Sequence, residues 1–219
     1  MKTNFKKLGL FGIIGGIIYV IANALVYFGT GDIFANPDPF WLKMSSVRIA
    51  LSEVLIIFGS AGYLCGFISL YAMVKENCDK FMQCLTAYGA IAVVGTALGH
   101  GNFGCIESLV YKVLMANGVA ESVYVQIDEI ISSHFGMADV LIALSSIVMA
   151  VVTIILVLSK KAKVSRWMCL CNMIFTFAVG MILANILKNT FGYSLLGCAK
   201  SMGETLMYVV PFLYWKKSE

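Results

Sequence analysis

Polar positions in this chain come in short clusters, and between them run stretches of about 20 predominantly apolar residues. That is the length an α-helix needs to cross the hydrocarbon core of a bilayer, so each stretch predicts a membrane-crossing helix. The first covers residues 8–28, after Lys2, Lys6 and Lys7. "GTGDIFANPDPFWLK" cannot continue a helix, because its Gly, Asp, Asn and Pro residues favour turns. Ser45 and Ser46 then offer N-cap hydroxyls to a second span, 46–74. After the turn "KENCDK" a third span covers 81–103, and the pattern softens from Phe103 to Ala116. "NGVAESVYVQIDEI" reads as a loop or surface helix, and three further spans cover 134–158, 167–187 and 198–215. The expected fold is all-α, a polytopic six-helix bundle occupying residues 1–219 as one unit. "ANA" at 22–24 has the form of a signal-peptide cleavage site, but the apolar run continues to Phe28. That exceeds the usual apolar region of a signal peptide and favours a retained span.

Composition agrees with the pattern. Hydrophobic residues make up 60% of the 219-residue chain and charged residues only 13%, against roughly 25% charged in a soluble domain. The net charge of +4 does not indicate a nucleic-acid partner, since the basic residues sit between apolar runs, where orientation in a membrane explains them. With both termini on one side, that side holds Lys2, Lys6, Lys7, Lys75, Lys80, Lys160, Lys161, Lys163, Arg166, Lys216 and Lys217; the other holds Lys43, Arg48, Lys112, Lys188 and Lys200. Basic residues gather on the cytoplasmic face, so both termini are expected inside. Trp41, Trp167 and Trp215 fall at expected span ends, where amphipathic rings sit at the membrane interface. The expected partner is the bilayer, and oligomeric state is not legible.

Two features inside the spans bear on packing and chemistry. Gly12 with Gly16, and Gly62 with Gly66, form small-xxx-small pairs that let helix backbones approach closely, and Asn23 is positioned to hydrogen-bond a neighbouring helix. The ionisable and amide groups Arg48, Glu53, His100, His134, Asp139, Asn185, Lys188 and Glu204 all fall toward the outer ends of the expected spans. A charge in hydrocarbon costs about 2.5–3.5 kcal/mol even on the lenient insertion scale. Glu53, Asp139 and Glu204 should therefore face inward, with Arg48, Lys188 or Lys200 as partners, around a polar chamber open near the outer surface. A purely structural ion-pair network is the competing explanation.

"GHGNFGCIESLVYK", residues 99–112, carries His100, Asn102 and Glu107. If it is helical, Thr96, His100, Gly104, Glu107 and Tyr111 share a stripe, with His100 and Glu107 about 10 Å apart along the axis. If Gly99, Gly101 and Gly104 break the helix, the irregular backbone must line protein or water. Three roles follow. His100 or His134 could work with Glu53, Glu107 or Glu204 as general acid and base on a lipophilic substrate, because imidazole exchanges protons near neutral pH. The chamber, with Arg48, Glu53, Asn102, Asp139 and Glu204 as binding groups, could instead hold or pass a small molecule or ion. Third, the protein could be structural or bind a partner. Two His and a carboxylate are zinc-ligand types, but no HExxH-like spacing is present, so neither a metal nor another cofactor is assigned. His100 and Cys105 diverge on a helix and do not form a nucleophile pair. Of the seven cysteines, only Cys105 and Cys198 fall outside, where a disulfide is permitted.

With its short-looped helices, "GHGNFG" and "SMGETLMY" at 201–208, the chain resembles uncharacterised bacterial six-helix membrane proteins grouped as a domain of unknown function. The resemblance implies a multi-pass protein of the bacterial cytoplasmic membrane and transfers no catalytic role. A fainter similarity is to emopamil-binding-protein-like sterol isomerases, which set His and Glu in a lipophilic helical cavity; helix count differs, no motif is matched, and none of their residues is carried over.

Overall fold

The computed structural model describes the backbone of residues 2–28 and 44–218, and the side chains there except those of residues 100, 102, 103, 121, 128, 131, 132, 134–139 and 142. The described residues form seven α-helices and no strand: α1 (Lys2–Tyr27), α2 (Ser46–Asn77), α3 (Lys80–Ala116), α4 (Glu121–Leu158), α5 (Met173–Leu187), α6 (Thr190–Met207) and α7 (Val209–Lys217). Three of them, α1, α2 and α3, are long and apolar enough to cross a membrane, and two shorter apolar helical stretches lie at Ala143–Leu158 and Met173–Leu187.

Side-chain placement in the helices inverts that of a soluble bundle. Along α1 the buried positions are Gly9, Gly12, Gly15, Gly16, Tyr19 and Ala22, whereas Leu10, Phe11, Ile14, Ile17 and Ile21 are exposed. Large aliphatic groups thus coat the outside while glycines and a tyrosine make the contacts. Where the surroundings are as apolar as leucine, association rests on close packing and hydrogen bonds between helices, which is what small residues permit.

Close approach is most severe between α1 and α2. A Cβ on Gly12 would land on the Gly66 backbone, and one on Gly15 on the Gly62 backbone, while Gly59 abuts Tyr19. These pairings run in opposite chain directions, so the two helices are antiparallel. The expected Gly12/Gly16 pair is divided between two neighbours: Gly12 faces α2, whereas Gly16 faces Thr205 of α6. Gly15, the true counterpart of Gly62, is outside the four-residue spacing. The α1–α6 contact is also antiparallel, through Gly197 against Tyr27 and Gly16 against Thr205, as is α5–α6, where Gly203 meets Met173 and Gly180 meets Ala199. α3 packs on α2, and α4 on α3.

Capping explains several boundaries. The Ser45 hydroxyl accepts from Arg48 N at 3.2 Å, as expected from the sequence, and the Asp79 carboxylate accepts from Met82 N at 3.0 Å at the start of α3. α3 is continuous from Lys80 to Ala116, so the glycine-rich stretch does not break it, and the helical alternative for residues 96–111 is the one realised. α4 begins at Glu121, well before the expected His134; of the sequence read as loop or surface helix, residues 117–120 form the turn after α3 and 121–130 the first turns of α4. α6 begins at Thr190, not at Cys198, because Lys188 adopts the left-handed conformation that ends α5 and the Asn189 side chain accepts from Gly192 N at 2.9 Å. α6 and α7 form one rod interrupted at Tyr208. Pro211 has no N–H for the helical bond to Met207, and the interruption falls in that turn.

Trp215 lies in the last turn of α7, packed against neighbouring helices. It is fully buried, donates its indole N–H to Ser69 O at 3.2 Å and packs on Phe5. Trp167 is exposed, and Trp41 lies outside the described residues.

Candidate functional site

Glu204 is the most deeply buried acidic side chain among the described residues, with 2% of its surface exposed. Because α6 starts at Thr190 and the rod ends at Lys217, about 20 Å of helix lies on either side of it. It was expected in the opening turns of its helix; the earlier start puts it at the middle. Its Oε1 takes two interactions: the Lys200 ammonium one turn back at 3.2 Å, and the Ser146 hydroxyl of α4 at 3.0 Å. The Lys200–Glu204 pairing is one of those anticipated from sequence. A buried carboxylate requires such compensation, since the desolvation cost of the charge is otherwise unmet.

A cluster of tyrosines packs beside this part of α6. The Tyr63 hydroxyl of α2 donates to Ser201 O of α6 at 3.5 Å, and its ring stacks on Tyr19 with centroids 5.0 Å apart. Tyr208 packs edge-on against Tyr63 at 5.4 Å. Tyr19 donates to Ala97 O of α3 at 2.7 Å. The hydroxyls of Tyr208 and Ser60 are buried with no hydrogen-bond partner among the described residues.

Beside Glu204 and Lys200 is a cavity of about 140 Å³ bounded by α1, α2, α3 and α6. Asn23, Tyr19 and Ser201 contribute its polar wall, and Gly101, Gly104, Cys105 and Ser108 form the α3 side. Asn23 donates to Ser201 Oγ at 3.0 Å, the cross-helix bond that the sequence suggested. Val26, Met44, Ile49 and Ile56 supply apolar wall. A Cβ at Gly104 would meet nothing within 4 Å, so this glycine opens space for the cavity.

The other sequence-derived candidates are distributed differently. Among the described residues Arg48 pairs with no acid. Its guanidinium donates to Leu25 O at 2.9 and 2.6 Å and to Phe28 O at 2.5 Å, capping the C-terminal end of α1, where carbonyls lack helical donors and the dipole favours a cation. Glu53 is half-buried on the α2 face near Cys105 and does not line the cavity. Glu107 accepts from the Tyr111 hydroxyl at 2.8 Å, one turn along the expected stripe, and also lies off the cavity. His100 and Asn102 lie on the α3 backbone, and His134 and Asp139 on that of α4; their side chains are outside the described residues. Among the described residues no three His, Cys, Asp or Glu side chains cluster as metal ligands.

Cys105 and Cys198 are both buried free thiols, not a disulfide; each sits in helix packing. Cys78 lies in the α2–α3 turn with Lys161 Nζ 4.0 Å from its sulfur. Burial pushes this thiol above its ordinary value, and the nearby Lys161 only partly offsets that. The thiolate is the reactive form, so Cys78 in a single-cysteine variant should alkylate more slowly than free glutathione at pH 7, the gap closing as pH rises. Maleimide labelling followed by mass spectrometry measures this; a rate equal to glutathione at neutral pH would contradict it.

Fold and site together define a class: an all-helical protein with helices fit to cross a membrane, packed through glycines around a buried, lysine-paired carboxylate and a small cavity. The chain belongs to DUF6796, a family of unknown function, whose profile matches residues 1–218. No curated protein and no solved structure matches it.

Proposed function

We propose that this is a six-span membrane protein with both termini cytoplasmic, whose Glu204 cavity binds a small lipophilic molecule by its polar end. Support for the topology comes from the clustering of Lys and Arg at one end of the antiparallel bundle and from the aliphatic coat on the helices. The observation that carries the function is Glu204 itself: a 2% exposed carboxylate midway along its helix and lining a cavity. An ionisable group at membrane depth is costly and marks a functional site by default. A purely structural ion pair would need no cavity beside it.

In the acid–base form of this reading, His100 or His134 works with Glu53, Glu107 or Glu204 as general acid and base to convert the bound molecule. A proton-coupled carrier is the second reading, favoured by the central position of Glu204 in its helix.

Gly104→Leu separates binding from folding. Open space at Gly104 admits the side chain, and replacing a mid-helix glycine favours the helix, so the variant should fold while its side chain fills the cavity. Native mass spectrometry of the detergent-purified protein should then detect a bound small molecule on the wild type that is lost from Gly104→Leu and from Glu204→Gln. Adducts equal in all three proteins, or absent from all three, would refute the binding role.

A further inference from the structure

The cavity's hydrogen-bonding polarity is uneven. A hydroxyl carries one proton and two lone pairs, and three hydroxyls at this site commit their protons to helix carbonyls. Tyr19 donates to Ala97 O at 2.7 Å, Ser108 to Gly104 O at 2.7 Å and Ser201 to Cys198 O at 2.9 Å. What these oxygens retain is acceptor capacity. The Glu204 carboxylate adds a negative charge, and the Asn23 side chain adds a carbonyl oxygen while its amide donates to Ser201. All five side chains line the same cavity.

Lys200, the cation among the lining residues, is the clue. Its ammonium already satisfies Glu204 at 3.2 Å, yet its side chain is 34% exposed against 2% for its partner. A lysine's flexible four-carbon stem lets such a head withdraw to water. The carboxylate cannot move out with it.

We propose that the cavity selects a small aliphatic ammonium ion, with the Lys200 ammonium acting as a tethered occupant that the ligand's own ammonium displaces from Glu204. With one of its three N–H groups on Glu204, the cationic head has two left for the acceptors Tyr19, Ser108, Ser201 and Asn23, and Val26, Ile49 and Ile56 receive the alkyl part. A cavity of about 140 Å³ limits that molecule to a handful of non-hydrogen atoms, since one water occupies about 30 Å³ of liquid. This assignment rests on the cavity being a binding site and names the chemistry that fills it.

The test uses the full chain in detergent, with its thermal unfolding midpoint followed against n-butylamine, n-butanol and sodium butyrate at matched ionic strength and pH. n-Butylamine should raise the wild-type midpoint saturably, while the alcohol and the acid leave it unchanged. Lys200→Met should lower the midpoint in buffer, and n-butylamine should restore it at concentrations at least threefold below those the wild type requires, because the internal competitor is gone. Glu204→Gln should abolish the response. Since the wild type alone reports the charge preference, the outcome does not depend on Lys200→Met folding well. Protection by butanol or butyrate equal to that by butylamine would overturn the ammonium assignment and leave the binding role standing; protection by none of the three would overturn both.

Discussion

Gly62→Leu should unfold the bundle or cost it more than ~3 kcal/mol, the upper end of ordinary overpacking. Most overpacked sites relax because the neighbouring side chain changes rotamer. Here the obstacle is backbone: a Cβ on Gly62 meets the Cα and N of Gly15, and neither can move without parting α1 from α2. Parting them also forfeits the Ser52 bond to Ala22 O at 2.9 Å and the Arg48 cap on α1. Gly95 is the matched control, a helical glycine in α3 with nothing within 4 Å of an added Cβ; Gly95→Ala should be neutral or stabilising by up to about 1 kcal/mol, the helix-propensity difference. SDS or thermal denaturation monitored by circular dichroism compares the two. Equal stability of Gly62→Leu and wild type would show that the α1–α2 seam is not as close as described.

Lys200→Met should destabilise the protein far more than Glu204→Gln. Removing the lysine strands a carboxylate that is 2% exposed, and breaking a buried pair from one side costs about 3–5 kcal/mol. Removing the acid strands only an ammonium that already reaches water, while glutamine keeps an oxygen for the Ser146 hydroxyl; that loss should stay near the ~1 kcal/mol of an ordinary hydrogen bond. The same denaturation assay reads both variants. A larger loss for Glu204→Gln would mean that the carboxylate's environment tolerates an unpaired charge.

How far the sequence reaches can be judged element by element. Apolar runs and a Ser cap located α1 and α2 closely, because length and capping are local properties. The start of α6 was missed since its signal, a left-handed Lys188 followed by an Asn189 cap, looks like an unremarkable polar pair in a span-length window. That eight-residue error also put Glu204 near a helix end. The Lys200–Glu204 pair was legible, being four residues apart on one helix, and so was the cross-helix role of Asn23. Arg48 was misassigned because its partners are backbone carbonyls of a different helix, which no side-chain inventory reveals. Tyr19, Tyr63, Tyr208 and Ser146 were not singled out, as each sits alone within an apolar run; the available hint was that a tyrosine hydroxyl in such a run must find a partner or be paid for elsewhere.

The order of the chain gives the α1–α2 seam and the cavity different histories. Every contact that closes the seam, from Gly12 with Gly66 to Ser52 with Ala22, joins segments the ribosome makes early. The cavity instead requires Asn23 from the first helix and Glu204 from the last long one. During synthesis the residues of the α1–α2 seam are therefore all present long before those of the pocket, and Asn23 has no Ser201 to bond until most of the chain is translated.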